Sequence, residues 1–363
     1  MKNSKVTYPI LKLEIQNITE NTKEVVNLCK SFGIDVTGVI KGANGVKPVA
    51  DAFLEGGCKN IATSRMDEII ELRKNGLKSE IMLVRIPMEA EIEDLVSNVD
   101  ISLNSEVKTI KLINEEAKKQ GKTHKVVLMI DMGDLREGFM GCHVEDIVKA
   151  GLEIEGLSNI RLLGIGTNLG CYGSIKPTYK NLTELIQIAT EIESAIGREL
   201  EVISGGATSS LTLLMDKEIP SRINHLRIGE GILVGRDLKD FWGYDMDFIR
   251  TDTAVMSTQV IEIKEKPTYP IGEIFIDAFG QVPEYEDRGK KTRALLAAGK
   301  KDFGDHEKLV PRNENVKIVG SSSDHLIVEI EGEGVKLGDV LEFEMYYPAL
   351  LYLSMSPSVT KLY

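Results

Sequence analysis

The feature that most limits what this chain can fold into is an alternation. Eight short runs rich in apolar and β-branched residues are separated by segments whose apolar positions return every three or four residues. The runs are IDVTGVIK, ending at Lys41; CKNIATS, ending at Ser64; SEIMLVRI, around Arg85; VDISLNS, around Asn104; KVVLMIDM, containing Asp131; RLLGIGTN, ending at Asn168; LEVISGG, from Leu200; and HLRIGEGIL, containing Arg227. Segments between them, such as MDEIIELRKNG and TELIQIATEIESAIG, read as amphipathic helices that stop at glycine. Strands alternating with helices imply an α/β fold with a parallel sheet, and eight such units close into a (β/α)8 TIM-like barrel. The rival is an open doubly wound sheet, but no GxGxxG turn follows the first run.

From Thr251 the texture changes. VMSTQVIEIKEK, RALLAAG, NVKIVG, HLIVEIEG and DVLEFEMYY are short alternating runs between Gly, Asn and charged turns, as in a smaller all-β C-terminal domain. The expected division is residues 1–248 for the barrel, whose first strand could join the β domain, and 249–363 for the β domain, with no Pro/Ser-rich linker between them. No apolar stretch is long enough to span a bilayer, and MKNSKVTYPILKLEI lacks the apolar core of a signal peptide, so a cytoplasmic location is expected. A net charge of −12 argues against nucleic acid or an anionic membrane as partner and suits a small cationic substrate. The four cysteines lack CxxC or other metal spacing, so neither a disulfide framework nor a structural metal is expected.

In such a barrel the chemistry sits at the carboxyl ends of the strands. The residues closing the runs there are Lys41, Ser64, Arg85, Asn104, Asp131 followed by Arg136, Asn168, Ser204 and Arg227. Any one of them alone reads as a solvated strand end; together they suit a ligand carrying negative charge. After the seventh run, ISGGATSSL offers two glycines and then hydroxyls at a helix start, where free N–H groups favour an anion. After the eighth, RIGEG lets backbone amides approach closely, and phosphate sites at these two positions recur in the fold. A lysine at the first strand end, facing such a cup, is the arrangement expected if it forms a Schiff base with pyridoxal phosphate.

These motifs also carry a family resemblance. VIKGAN resembles the VKANAYG turn of the alanine racemase family, the fold-type III pyridoxal phosphate enzymes, whose lysine carries the cofactor. LEIQNITENTKEV is similar to that family's opening strand and helix, IDMGDLREG to its DTGMGRLG loop, and HLRIGEGILVG to its VRFGIAMYG strand. RIPM, GDLREGF, CYG, ISGG, PIGEIFIDAFG and SSDHLIV together resemble the ornithine racemase branch. The resemblance spans essentially the whole chain. It implies a homodimeric pyridoxal 5'-phosphate racemase of a free amino acid, ornithine or another basic one, whose site joins one subunit's barrel to the other's β domain.

By the same likeness Lys41 binds the cofactor and is the base on one face of the substrate. Arg227 meets the pyridine nitrogen; because an arginine keeps its proton, the ring nitrogen stays unprotonated and side reactions are restrained. Arg136 lies near the phenolic oxygen and the substrate carboxylate. Thr208 and the backbone at Gly206, Gly229 and Glu230 match the phosphate cup, with Ser204 and Gly205 in the same turn and Arg85 at the mouth as further cofactor contacts. Asn168 stands where the family has a ring-stacking histidine.

Three departures follow. The aromatic residue of KANAYG is missing from KGANGVKP, the carbamylated-lysine position is Met129, and the IGYADGY motif that supplies the second base reads IGEIFIDAFG. Racemisation needs acid/base groups on both faces of a planar carbanion. The second is open among Glu273, Asp277 and Tyr285 of the β domain and Cys171 and Tyr172 of the barrel; an acidic group there could instead hold the side-chain ammonium of a basic substrate. SSSDH resembles the MDQ turn of alanine racemases, which would bring Asp324 and His325, with Tyr285, to the substrate. It is also similar to the SEEH-type segment of D-threonine aldolases and D-serine dehydratases, where a histidine binds a metal; the second ligand expected two residues on is Ile327, and no metal is expected. The alternative activities are an alanine or broad-specificity racemase or a fold-type III lyase or aldolase, and the non-enzymatic one is a pyridoxal phosphate carrier.

Overall fold

The computed structural model describes residues 7–280 and 282–363. The chain divides into two units, one formed by Ile15–Thr253 and the other by the residues up to Glu14 together with Ala254–Tyr363. In chain order, β1 (Ile10–Leu13) and α1 (Ile15–Lys30) precede β2 (Asp35–Val39), β3 (Asn60–Thr63), β4 (Ile81–Leu83), β5 (Ile101–Asn104), β6 (His124–Asp131), the two-residue β7 (Phe139–Met140), β8 (Ile160–Gly166), β9 (Val202–Ser204) and β10 (His225–Ile228). The strands pair in parallel in the order β5-β4-β3-β2-β10-β9-β8-β6, and β5 pairs with β6 to close the ring. All eight runs read from the sequence are strands of this barrel.

Helices α2 (Lys47–Glu55), α3 (Met66–Lys74), α4 (Ile92–Asn98), α5 (Val107–Lys119), α6 (Val144–Glu155) and α7 (Tyr179–Ile196) fill the crossovers. Helix α7 shows why they form where they do. Thr178 accepts the Asn181 N–H at 3.2 Å while its own N–H donates to Asn181 Oδ1 at 2.9 Å, capping the start. Leu182, Leu185, Ile188, Ala189 and Ile192 are buried on one face, and Gly197, at φ 77°, ends the helix in the left-handed conformation.

Period-two alternation sets the barrel interior. Val39, Ala62, Met82, Ile101, Leu103, Val127, Met129 and Leu163 form one buried apolar cluster. The same alternation sends Ser102 and Asn104 to the opposite face of β5. There Asn104 donates to the Ser102 hydroxyl and carbonyl at 2.7 and 3.0 Å, and Ser102 meets His124 at 2.8 Å. Asn104 therefore does not join the mouth residues, contrary to the expectation from its strand-end position.

The second unit is an antiparallel sheet with strands β11 (Ala254–Pro267), β12 (Lys290–Leu296), β13 (Leu309–Pro311), β14 (Val316–Ser321), β15 (Leu326–Ile330), β16 (Val340–Met345) and β17 (Thr360–Leu362), in the order β13-β16-β11-β12-β15-β14. Strand β1, which its local sequence allows in either domain, pairs antiparallel with β11 and parallel with β17 in this unit. Because β11 begins at Ala254, the division falls slightly beyond the expected boundary at 248. Besides the single-turn helix Lys300–Phe303, the helix Tyr347–Met355 stands among the strands; it buries Ala349, Leu350 and Leu353 and is too uniformly apolar for periodicity to have marked it. Among the described residues no helix is long and apolar enough to cross a membrane.

Candidate active site

Strand β2 ends at Val39, and Lys41 opens a single 3-10 turn, Lys41–Ala43. Asn44 and Gly45 follow with φ of 55° and 61°. Two consecutive left-handed residues are what Asn and Gly tolerate and other side chains resist, which explains KGANG directly after the strand. A Cβ on Gly45 would also come within 2.7 Å of the Glu68 side chain. The turn holds the Lys41 amine half-buried. Burial, then Arg136 and Arg227, lower its pKa, against the opposing pull of Cys171 and Glu137. A lysine that gives up its proton more readily is present to a greater extent as the neutral amine, the form that can act as nucleophile or proton acceptor.

Two loops meet this lysine's surroundings. After β6, Asp131 Oδ1 accepts the Gly133 and Leu135 N–H groups at 2.8 and 3.1 Å, folding DMGDLREG into a compact turn. Asp134, 1% exposed, accepts the N–H groups of Cys171, Tyr172 and Ile175 at 3.3, 3.0 and 3.4 Å, so one buried carboxylate ties this turn to the loop after β8. Arg136 then donates through Nη1 to Cys171 Sγ at 2.9 Å and through Nη2 and Nε to Glu137. Glu137 also accepts from Asn168 Nδ2, and Asn168 Oδ1 accepts from Arg227 Nη2 at 2.8 Å. The structure thus joins Arg136, Cys171, Asn168 and Arg227 in one hydrogen-bonded set.

Arg227 is 3% exposed and heads a directional chain. A guanidinium can only donate, so Ser204 Oγ accepts from Arg227 Nη1 and its own proton goes to His225 Nδ1, at 2.8 Å. The His225 proton must then sit on Nε2 and point to Thr37 Oγ1 at 2.7 Å, whose hydroxyl donates to Asn60 Oδ1. The barrel register sets Ser204 beside His225 and Thr37 between Arg227 and Asn60. Burial first, then Arg227 and Lys59, pushes His225 down to about 3, and burial pushes His124 down to about 4.

Both histidines stay neutral in the fold while the unfolded chain takes up protons near the ordinary value of 6.5. Their stabilisation is complete above that value and is lost as the pH falls, by about 1.4 kcal/mol per pH unit for each histidine. Denaturant unfolding at pH 7, 6 and 5 should show this decline, and His225→Gln should make it shallower by about one histidine's share; an unchanged slope would contradict the assignment.

The two glycine turns face one another. Thr208 Oγ1 accepts the Gly231 N–H at 3.2 Å, which links the turn after β9 to the short helix Glu230–Leu233 after β10. Gly205 N–H donates to His225 O, and Gly206 O accepts the Arg227 N–H, both at 3.0 Å, so this turn is fixed against β10. Gly229 immediately precedes the helix. The Glu230 side chain turns away, accepting the N–H groups of Arg236 and Asp237 at 3.2 Å each, and burial pushes it up to about 8.

The Ser204 hydroxyl is taken up by Arg227 and His225, so its action on the site runs through Arg227. Arg85 grips Glu91 through Nη2 at 2.6 and 2.9 Å and donates to Ser64 O at 2.9 Å, which occupies its fork outside the connected set. Tyr172 is 75% exposed, and its backbone N–H is what binds Asp134. Glu273, Asp277 and Tyr285 belong to the other unit, in the segment between β11 and β12, where Tyr285 stacks edge-on with Tyr269 at 6.4 Å. Asp324 pairs with Lys301 at 2.5 Å, and His325 Nδ1 lies 3.4 Å from Ser322 Oγ.

Residues 13–237 match the model of the alanine racemase N-terminal domain, a stretch that includes all eight barrel strands. The chain belongs to the alanine racemase family. It is 40% identical to an ornithine racemase from Acetoanaerobium sticklandii over 95% of its length and 96% of that protein. It is 36% identical to a lysine racemase from Thermotoga maritima, with 99% of each chain covered. An alanine racemase structure from Streptomyces lavendulae superposes with a TM-score of 0.77 over 98% of both chains at 15% identity, which speaks for the fold alone. Met129, which the sequence resemblance sets at the carbamylated-lysine position, is fully buried in the apolar interior.

Glu137, Asp134 and His225 are members of the site that the sequence reading passed over. A charged doublet in DLREG looks like a solvated turn. The signal for His225 was its place two residues before Arg227, on the same inward face of a strand.

Proposed function

We propose that the chain is a pyridoxal phosphate-dependent racemase of basic amino acids, with ornithine as the first substrate to test. One observation carries the reading: the half-buried Lys41 amine, with its lowered pKa, shares its surroundings with Arg136 and Arg227, in a chain 40% identical to an ornithine racemase over nearly its whole length. The residues present fit the cofactor. An amine is available for the aldehyde, a fixed guanidinium for the ring nitrogen, and two glycine turns linked through Thr208 for the phosphate; Thr167 Oγ1, beside Asn168, is buried with no hydrogen-bond partner among the described residues. When bound, the cofactor supplies an electron sink that acidifies the α-proton of the amino acid joined to it.

The chain's own groups then divide the work. Lys41 Nζ takes and returns the proton on one face. Arg136 holds the substrate carboxylate, and Arg227 keeps a proton-bearing group opposite the ring nitrogen, since burial brings it down only to about 10. For the second face, Cys171 is the candidate within the barrel's connected set, while Glu273, Asp277 and Tyr285 would come from a second copy. A homodimer is supported by the segment between β11 and β12: Arg288 and Arg293 pin its base to the buried Glu329, while Ile271, Phe275 and Val282 are 93%, 78% and 71% exposed. The proposed cytoplasmic setting is supported by four cysteines that are all free.

The test is a panel of single enantiomers of ornithine, lysine and alanine, each given alone to the cofactor-loaded protein. Optical rotation should decay without keto acid or aldehyde, with the highest kcat/KM for ornithine or lysine. Highest activity on alanine would overturn the substrate assignment, and keto acid or aldehyde as the main product would overturn the reaction.

A further inference from the structure

Lys41, Arg136 and Arg227 bring three positive charges to one end of the barrel, and Glu137 is the carboxylate they share. It acts electrostatically on both Lys41 and Arg227 and is bonded directly to Arg136. Its side chain is 15% exposed, against 36% for Arg136. Both carboxylate oxygens are engaged: Oε1 accepts Arg136 Nη2 at 2.5 Å and also Asn168 Nδ2, and Oε2 accepts Arg136 Nε. A two-pronged contact of this kind fixes the plane of a guanidinium, where a single contact leaves it free to turn. The backbone cannot drift either. Gly138 packs so closely on the end of β6 that a Cβ would lie 2.7 Å from Asp131 N, and its φ of 125° excludes other residues.

We propose that Glu137 is a positioning residue: it orients Arg136 for the substrate carboxylate and, through Asn168, ties that orientation to Arg227. The inference rests on the reading of Arg136 as the carboxylate-binding residue. Glu137 does not touch the reacting atoms. With both its oxygens committed to Arg136 and Asn168, it is not the group that receives a basic side chain.

The test uses Glu137→Gln and Glu137→Asp in the cofactor-loaded protein, with valerate as the binding probe because it has a carboxylate and no amine. Calorimetry should show valerate bound about tenfold more weakly by Glu137→Gln, with an intermediate loss for Glu137→Asp, which keeps the charge. KM for ornithine should rise by the same factor while kcat changes by less than about threefold. Unchanged valerate affinity with a raised KM for ornithine alone would mean that Glu137 holds the side-chain ammonium, and would overturn the proposal. So would a lowered melting temperature with valerate affinity and KM unchanged, the mark of a purely structural role. If Glu137→Gln fails to fold, Glu137→Asp decides between the same outcomes. A wild-type protein that takes up cofactor but racemises nothing would defeat the functional reading instead, and valerate binding would still report on Arg136 and Glu137.

Discussion

Lys41→Ala should lose the yellow colour of bound cofactor and at least about 10³-fold of racemisation, because in the proposed mechanism one side chain is both the covalent attachment and one of two proton-transfer groups. Lys41→Arg is the sharper control. It keeps a cation of similar reach near Arg136 and Arg227, but a guanidinium does not give up its proton and so cannot act as nucleophile or base. Both variants should therefore be colourless. An arginine variant that retained colour and activity would mean that position 41 acts only through its charge. Absorbance spectroscopy and chiral chromatography read the two properties separately.

The second large effect is expected at Arg227. Removing its guanidinium in Arg227→Gln leaves Ser204 Oγ, Thr167 O and Asn168 Oδ1 without their charged donor in a site only 3% exposed. That should destabilise the fold by about 2–4 kcal/mol and slow racemisation about 10²–10³-fold. Arg227→Glu goes further, since a carboxyl group can hold a proton against the ring nitrogen and make the bound cofactor a stronger electron sink. Keto acid should then appear as a side product that the wild type does not release. A racemisation rate near that of wild type in both variants would contradict the role given to this arginine.

How far these residues could be read beforehand follows from the range of the interactions. The barrel strands were legible because each is a local run bounded by a helix, and the glycine turns because φ and close approach are written into residue type. Strand β1 was not assignable, since its partner β11 lies some 240 positions away and nothing in ILKL specifies that pairing. Lys41 and Arg227 stood out as charges at the ends of apolar runs. Glu137 did not, because a glutamate beside an arginine on a turn looks like ordinary solvated surface until the fold brings Asn168 against it. His225 was hidden for the opposite reason: a buried histidine in a strand resembles core, and its role appears only once Ser204 and Thr37 are found at its two nitrogens.

The most direct test of the account gives L-ornithine alone to the cofactor-loaded protein in heavy water and follows both enantiomers by chiral chromatography and mass spectrometry. The prediction is an approach to equal amounts of L- and D-ornithine, with deuterium at the α-carbon of the newly formed D-enantiomer and no keto acid. L-Ornithine that stays enantiomerically pure, with or without deuterium, would contradict proton transfer on both faces and with it the assignment of this site as a racemase.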